Sequence, residues 1–369
     1  MNELIQEGVT VITFDSVTKR YPDGTVAVNA LDLVLPEGQI TVFVGPSGCG
    51  KTTSLRMINR MIEPSSGRIL VGGQDVMAQD PAKLRLEIGY VIQQVGLFPH
   101  RTILDNIATV PFLLGWNKKK ARARAAELLP RVGLPDSFAS RFPIQLSGGQ
   151  QQRVGVARAL AADPPYMLMD EPFSAVDPIT RESLQQEFLR LQSDLGKTIA
   201  FVTHDIDEAI KIGDNVAIFG EGGVLAQFDT PERLLNAPAS DFVADFVGRD
   251  RGFRGLSFVS AAELPVDQAM TAHTDETHRY DDWVLALDAA NRPLGWRRPG
   301  TSNDVSELEP LSGTFTVTDQ LRLVVDLALI SPRGLAVRVD ATGAVDGVVS
   351  HEDVAAYLRR RRGDVVPTR

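Results

Sequence analysis

Gly45-Pro46-Ser47-Gly48-Cys49-Gly50-Lys51-Thr52, followed by Thr53, is a glycine-rich run closed by a cation and two hydroxyls. Residues of these types at this spacing form a phosphate loop, because bare backbone can curl around phosphate oxygens and aim several amides at them. Lys51 adds a point charge for the β- and γ-phosphates, the Thr52 hydroxyl suits magnesium, and a following helix would contribute the positive end of its dipole. The expected ligand is ATP or GTP with Mg2+. Cys49 lies inside the loop, so alkylation there is expected to compete with the nucleotide. Further on, Tyr166-Met167-Leu168-Met169-Asp170-Glu171 is an apolar run that ends in two carboxylates. Such a pair is costly to bury unless it meets a cation or a reacting water. Thr198 to Val202 repeats the design, an apolar run delivering polar residues at its end, here Thr203, His204 and Asp205.

These residues need elements that hold them. Val9 to Phe14, Ala27 to Leu35 and Ile40 to Val44 read as strands, and a helical period runs from Lys51 to Met61. Strand, glycine loop and helix are the setting that a phosphate loop requires. From about 82 to 147 the pattern turns helical, punctuated by Pro99, Pro111, Pro130, Pro135 and Pro143. Strand signals return at Tyr166 to Met169 and Thr198 to Val202. The middle is therefore expected to be a helical insertion in an α/β core, whose strands alternate with helices and so form a mostly parallel sheet. A helix over Gln151 to Ala162 would follow Ser147-Gly148-Gly149-Gln150 and offer a second anion-binding N-terminus. Asn236 to Gly248 reads as a closing helix, and Arg249-Asp250-Arg251-Gly252 as a junction to a second unit over 249–369.

Composition limits the classes. At 369 residues the chain is long for one core, given about 100 to 200 residues per domain. Its net charge of −9 argues against a nucleic-acid partner, which would call for basic surface. No run of about eighteen apolar residues is present and the first residues lack a signal-peptide pattern, so a cytosolic chain that does not itself cross a membrane is expected. A single cysteine permits no internal disulfide.

Leu146-Ser147-Gly148-Gly149-Gln150, placed between the phosphate loop and the Asp170-Glu171 pair, resembles the signature of the ATP-binding cassette superfamily. The resemblance implies a P-loop NTPase fold of the ABC type over 1–248, with a helical subdomain at about 94–147. It implies roles as well: Asp170 for magnesium, Glu171 for polarising the attacking water, His204 for the γ-phosphate, and Lys51 for the phosphates. Tyr21 takes the place of the aromatic that stacks on adenine. Gln93 takes that of the Q-loop glutamine that touches magnesium, although the neighbouring Gln94 fits one residue on. Ser174-Ala175-Val176-Asp177 fits the D-loop. In this family the signature of one copy closes over the phosphate loop of another, so a head-to-tail pair with two ATP molecules is implied.

Repair relatives carry a long coiled coil where this chain has a short insertion, and translation relatives carry two cassettes. Phe98-Pro99-His100 is instead similar to importer subunits that receive a helix of a membrane permease. In the tail, Gly347 to Val354 resembles the close of a CBS motif, with Ser350 and Asp353 at its strand-to-helix turn, a helix leading to Arg359, and a strand at Leu335 to Val339 and a helix near Val317 to Leu329 upstream. A degenerate first copy would run from Val266 to Met270, through Trp283 to Leu287, to Pro293-Leu294-Gly295. The second unit is thus expected to be an α+β tandem CBS domain. A cassette with such a tail is similar to the ATPases of quaternary-amine importers for glycine betaine, proline betaine, carnitine or choline. That implies a permease at the cytoplasmic face of the membrane, an extracytoplasmic binding protein, and an adenine nucleotide or ionic strength as a signal to the tail. A sugar or polyamine importer, with a small β-barrel as its tail, is the alternative. Arg359-Arg360-Arg361-Arg362 either touches anionic lipid or is a solvated helix end.

Overall fold

The structure, a computed structural model, describes residues 11–93, 96–174, 176–269, 271–273, 281–301 and 305–363. The chain divides into two compact units, Met1–Gly248 and Arg249–Arg369.

At the centre of the first unit is a six-stranded sheet. Its strands follow the order Leu225–Asp229, Asn215–Phe219, Ile40–Val44, Thr198–Val202, Tyr166–Asp170, Ile88–Val91. Neighbours pair in parallel except at the first edge, where Leu225–Asp229 runs antiparallel. Ile40–Val44, Tyr166–Asp170 and Thr198–Val202 are buried at every position, which explains why they read as apolar runs without alternation. The carboxyl ends of these three adjacent strands deliver the phosphate loop, the acid pair and His204 to one edge of the sheet.

A second sheet was not foreseen. Ile12–Arg20 pairs antiparallel with Val26–Leu35 and with Ser66–Val71, so the first two expected strands do not join the parallel sheet. Their alternation is the mark of strands with one face on a core, here packed around Phe14, Leu31, Phe43 and Leu55. Four further expectations need correction. Ile88–Val91 is a strand within the stretch read as helical, and its four residues are too few to show a period. The helix after the phosphate loop ends at Ile58, three residues early, with Arg60 at a φ of 53°. The closing helix is confined to Asp241–Val247, capped by Ser240, and a separate short helix, Pro231–Asn236, ends where it was expected to begin. The Gln151 to Ala162 helix begins earlier, at Gly148, and stops at Leu160.

In the second unit, Thr314–Phe315 pairs in parallel with Leu335–Val339, which pairs antiparallel with Val345–Ser350. Helices Leu321–Ile330 and His351–Gly363 complete a strand, helix, strand, strand, helix order. Thr271–His273, Val284–Leu287 and Pro293–Arg297 repeat the parallel and then antiparallel pairing, and Glu309–Pro310 joins their edge. Met270, in the expected first copy, lies outside the described residues, as does the side chain of Arg362. Among the described residues no helix is long and apolar enough to cross a membrane.

Candidate functional site

The phosphate loop is shaped by glycines that nothing else can replace. Gly45 and Gly50 have φ values of 152° and 92°, and a Cβ at either would strike a carbonyl oxygen, of Phe219 and of Ala27 respectively. Gly48, at a φ of 82°, faces open space. Lys51 opens the helix and is 6% exposed. Its Nζ donates to the carbonyl oxygens of Gly45 at 2.7 Å and Pro46 at 2.8 Å, so the ammonium sits inside the curl of the loop. Pro46 and Ser47 lie on its rim, and Thr53 is half-buried one residue into the helix beyond Thr52. Cys49 is 2% exposed, with its Sγ 3.6 Å from Lys51 Nζ. The thiol is turned into the protein, which corrects the expectation of a cysteine open to alkylation.

Asp170 closes its strand at 2% exposure. Thr52 Oγ1 donates to its Oδ1 at 2.9 Å, while Arg56 Nη2 at 3.4 Å and the Tyr90 hydroxyl at 3.5 Å approach Oδ2. Burial pushes the Tyr90 hydroxyl above its ordinary range, and the Asp170 charge adds to the shift. The Arg56 guanidinium is also raised, chiefly by its hydrogen bond with Tyr90. Neither Arg56 nor Tyr90 was singled out in the sequence, since each is an ordinary residue until the fold brings it to Asp170. The Thr52 hydroxyl and the Asp170 carboxylate in contact are hard oxygen donors of the kind magnesium takes. Among the described residues no group of three acidic, histidine or cysteine side chains could hold a metal.

Glu171 stands one residue past the strand with a φ of 47°, in the left-handed region. Its amide donates to the Val202 carbonyl at 3.0 Å, and its own carbonyl accepts from Ser174 Oγ at 3.0 Å. Two side chains flank its carboxylate: Gln93 Nε2 donates to Oε2 at 3.1 Å, and His204 Nδ1 lies 3.3 Å from Oε1. The side chain of His204 remains 61% exposed. Asp205 next to it caps the Ile206–Ile212 helix, and the Thr203 amide is tied to the Phe43 carbonyl at 3.1 Å. A carboxylate held between an amide donor and an imidazole beside an anion cradle can take a proton from a water attacking phosphorus. Gln94 lies outside the described residues; among those described, Gln93 is placed on Glu171.

Other expected site residues do not join this group. Ser147 caps the Gly148–Leu160 helix, its Oγ accepting from the Gln150 amide at 3.3 Å while Gln150 Oε1 accepts from the Ser147 amide at 3.0 Å. Ser147 and Gly148 are exposed and Gly149 is buried. Among the described residues no hydrogen bond or ion pair links Ser147 to Gln150 with Lys51, Asp170, Glu171 or His204. Tyr21 is half-buried just past the end of Ile12–Arg20, with Lys19 Nζ 5.3 Å from its ring centroid. Asp177 is exposed, and its carbonyl accepts from the Arg181 amide at 2.8 Å; Ala175 lies outside the described residues.

A family model described as "ABC transporter" matches residues 28–174. The chain is 57% identical over 241 residues to the carnitine transport ATP-binding protein OpuCA of Listeria monocytogenes, a match spanning 65% of this chain and 60% of that one. It is 43% identical over 355 residues to the osmoprotectant import ATP-binding protein OsmV of Salmonella typhimurium, covering 91% of this chain and 92% of that one. Among solved structures, a dimeric ATP-binding cassette in a post-hydrolysis state with ADP and Pi is similar at a TM-score of 0.54 and 34% identity, over 60% of this chain and 98% of that one. Phosphate loop, acid pair and strand-end histidine together with these matches show that the chain belongs to the ABC transporter family.

Proposed function

We propose that this chain hydrolyses ATP in a pair of copies and thereby drives import of a quaternary-amine osmoprotectant through a membrane permease. The observation that carries the chemistry is Glu171 held between Gln93 and His204, next to the loop that contains Lys51. The loop amides and Lys51 bind the β- and γ-phosphates, with Ser47 and Gly48 at the open rim. Thr52, Asp170 and Gln93 would hold Mg2+, which supplies charge neutralisation at the phosphates when bound. Glu171 accepts the proton of the attacking water, and His204 keeps that water and the γ-phosphate in line. Tyr21 stacks on the adenine. Ser147, Gly148, Gly149 and Gln150 form a rigid capped helix start that is not spent within its own subunit, in keeping with a role on the phosphates of a second copy, and Asp177 lies at the same interface.

The substrate class rests on OsmV, because that match runs through 91% of the chain, tail included. The second unit is read as a tandem CBS domain, supported by the two strand-pairing repeats and by one device used twice. Asp353 Oδ2 accepts from the Ser350 amide at 2.9 Å, and Asp319 Oδ2 accepts from the Thr316 amide at 2.7 Å, each pair near the start of a helix. Such a unit would regulate the motor at the cytoplasmic face of the membrane, in answer to an adenine nucleotide or ionic strength. Proteoliposomes with the permease and its binding protein test the reading. Uptake of glycine betaine, carnitine or choline driven by internal ATP is expected, whereas uptake of sugar or polyamine alone would overturn the substrate. Removing 249–369 is expected to change the salt dependence of uptake, and an unchanged curve would remove the tail from regulation.

A further inference from the structure

The His204 side chain is mostly exposed, so its place depends on the backbone that carries it. That backbone is tied on both sides. The Asp205 amide donates across His204 to Thr203 Oγ1 at 3.0 Å, and Asp205 Oδ1 accepts from the Glu208 amide at 3.3 Å. Glu208 and Gln185 are 7% and 5% exposed, and Glu208 Oε1 accepts from Gln185 Nε2 at 2.9 Å. Burial raises the Glu208 carboxyl and the Asp205 charge adds to the rise, while the Thr203 hydroxyl, the Gln185 amide and the Arg181 guanidinium work against it. Gln185 and Arg181 stand four residues apart on one face of the Pro178–Leu195 helix. Arg181 donates from Nη2 to the Val176 carbonyl at 2.9 Å and from its amide to the Asp177 carbonyl at 2.8 Å. Val176 and Asp177 are thus joined, through that helix face and Glu208, to the turn that carries His204. An apolar pair would pack two helices without burying a carboxyl. What hydrogen bonds add to packing is orientation.

We propose that Glu208 is a positioning residue for His204, holding its turn in one fixed relation to the helix that begins after Asp177. The mechanism given above does not use Glu208. The inference rests on the reading of His204 as the residue that keeps water and γ-phosphate in line.

The test is a double-mutant cycle on ATP hydrolysis by the full chain, with Glu208→Ala, His204→Ala and the two combined. Glu208→Ala is expected to lower kcat about ten- to a hundredfold while KM for ATP moves less than about twofold, the mark of misplacement rather than lost binding. Combined with His204→Ala it is expected to lower kcat no further, because the residue it positions is already gone. Glu208→Gln keeps the shape and the acceptor for Gln185, so its kcat should stay near the parent's. Should Glu208→Ala fail to fold, Gln185→Leu breaks the same link from the other helix and should lower kcat in the same way. Equal factors from Glu208→Ala with and without His204 would overturn the proposal, as would Glu208→Gln as slow as Glu208→Ala, or Gln185→Leu at parental kcat. Normal turnover in His204→Ala alone would instead overturn the reading of His204, and the proposal with it, so the two failures are distinguishable.

Discussion

In the proposed reaction Glu171 is the residue on which the chemistry turns, and its environment supports that role. Its backbone takes a left-handed φ of 47°, and its carboxylate lies between Gln93 and His204. Glu171→Gln preserves shape and removes the proton acceptor, so ATP binding should persist while kcat falls about 100- to 10,000-fold, the range of general-base contributions. Filter binding and phosphate release measure the two quantities separately; a variant with normal turnover would strip Glu171 of the role. At this scale the sequence was most legible. Lys51, Thr52, Asp170, Glu171 and His204 are motif residues whose types already name their chemistry. Tyr90 and Arg56 were not legible, because their meaning lies only in their approach to Asp170 across the sheet.

Among the elements, the Phe98-Pro99-His100 segment depends on a residue with no motif. Asn106 is fully buried; its Oδ1 accepts from the Phe98 amide at 2.7 Å, and its Nδ2 faces the carbonyl oxygens of Phe98, Arg101 and Thr102 at 3.0 to 3.1 Å. Asn106→Ala leaves these backbone groups without their partner and should cost about 1 to 3 kcal/mol in urea unfolding. A second element contact joins the helix after His204 to the Pro178–Leu195 helix, where Gln185 Nε2 donates to the buried Glu208 at 2.9 Å. Burial pushes the Glu208 carboxyl up from its ordinary range, so the folded state holds this proton to higher pH than the unfolded chain does. The neutral acid's contribution is full below the unfolded value and lost as pH rises toward the folded one. Glu208→Gln should therefore flatten the fall in Tm with rising pH just above the ordinary carboxylate range; an unchanged slope would refute that origin. Fully buried strands such as Thr198–Val202 announced themselves as apolar runs, whereas Ile88–Val91 and the antiparallel partner Ser66–Val71 did not. Ser66 to Arg68 is exposed and polar, and only pairing with Ile12–Arg20 makes that stretch a strand.

For the whole molecule, the signature is the informative feature. Its capped helix start is complete in itself, and among the described residues no hydrogen bond or ion pair joins it to Lys51, Asp170, Glu171 or His204, which fits the proposal that it serves a second copy. The resemblance names both halves and implies that they pair between two copies, an arrangement that the fold of one chain does not display. Mixing two inactive chains tests this most directly. Lys51→Ala disables one copy's phosphate loop and Ser147→Arg the other copy's signature, so a mixed pair retains one intact site formed by the unaltered loop and the unaltered signature. ATP hydrolysis that appears only on mixing is the expected result, and a mixture as inactive as either variant alone would contradict the shared site.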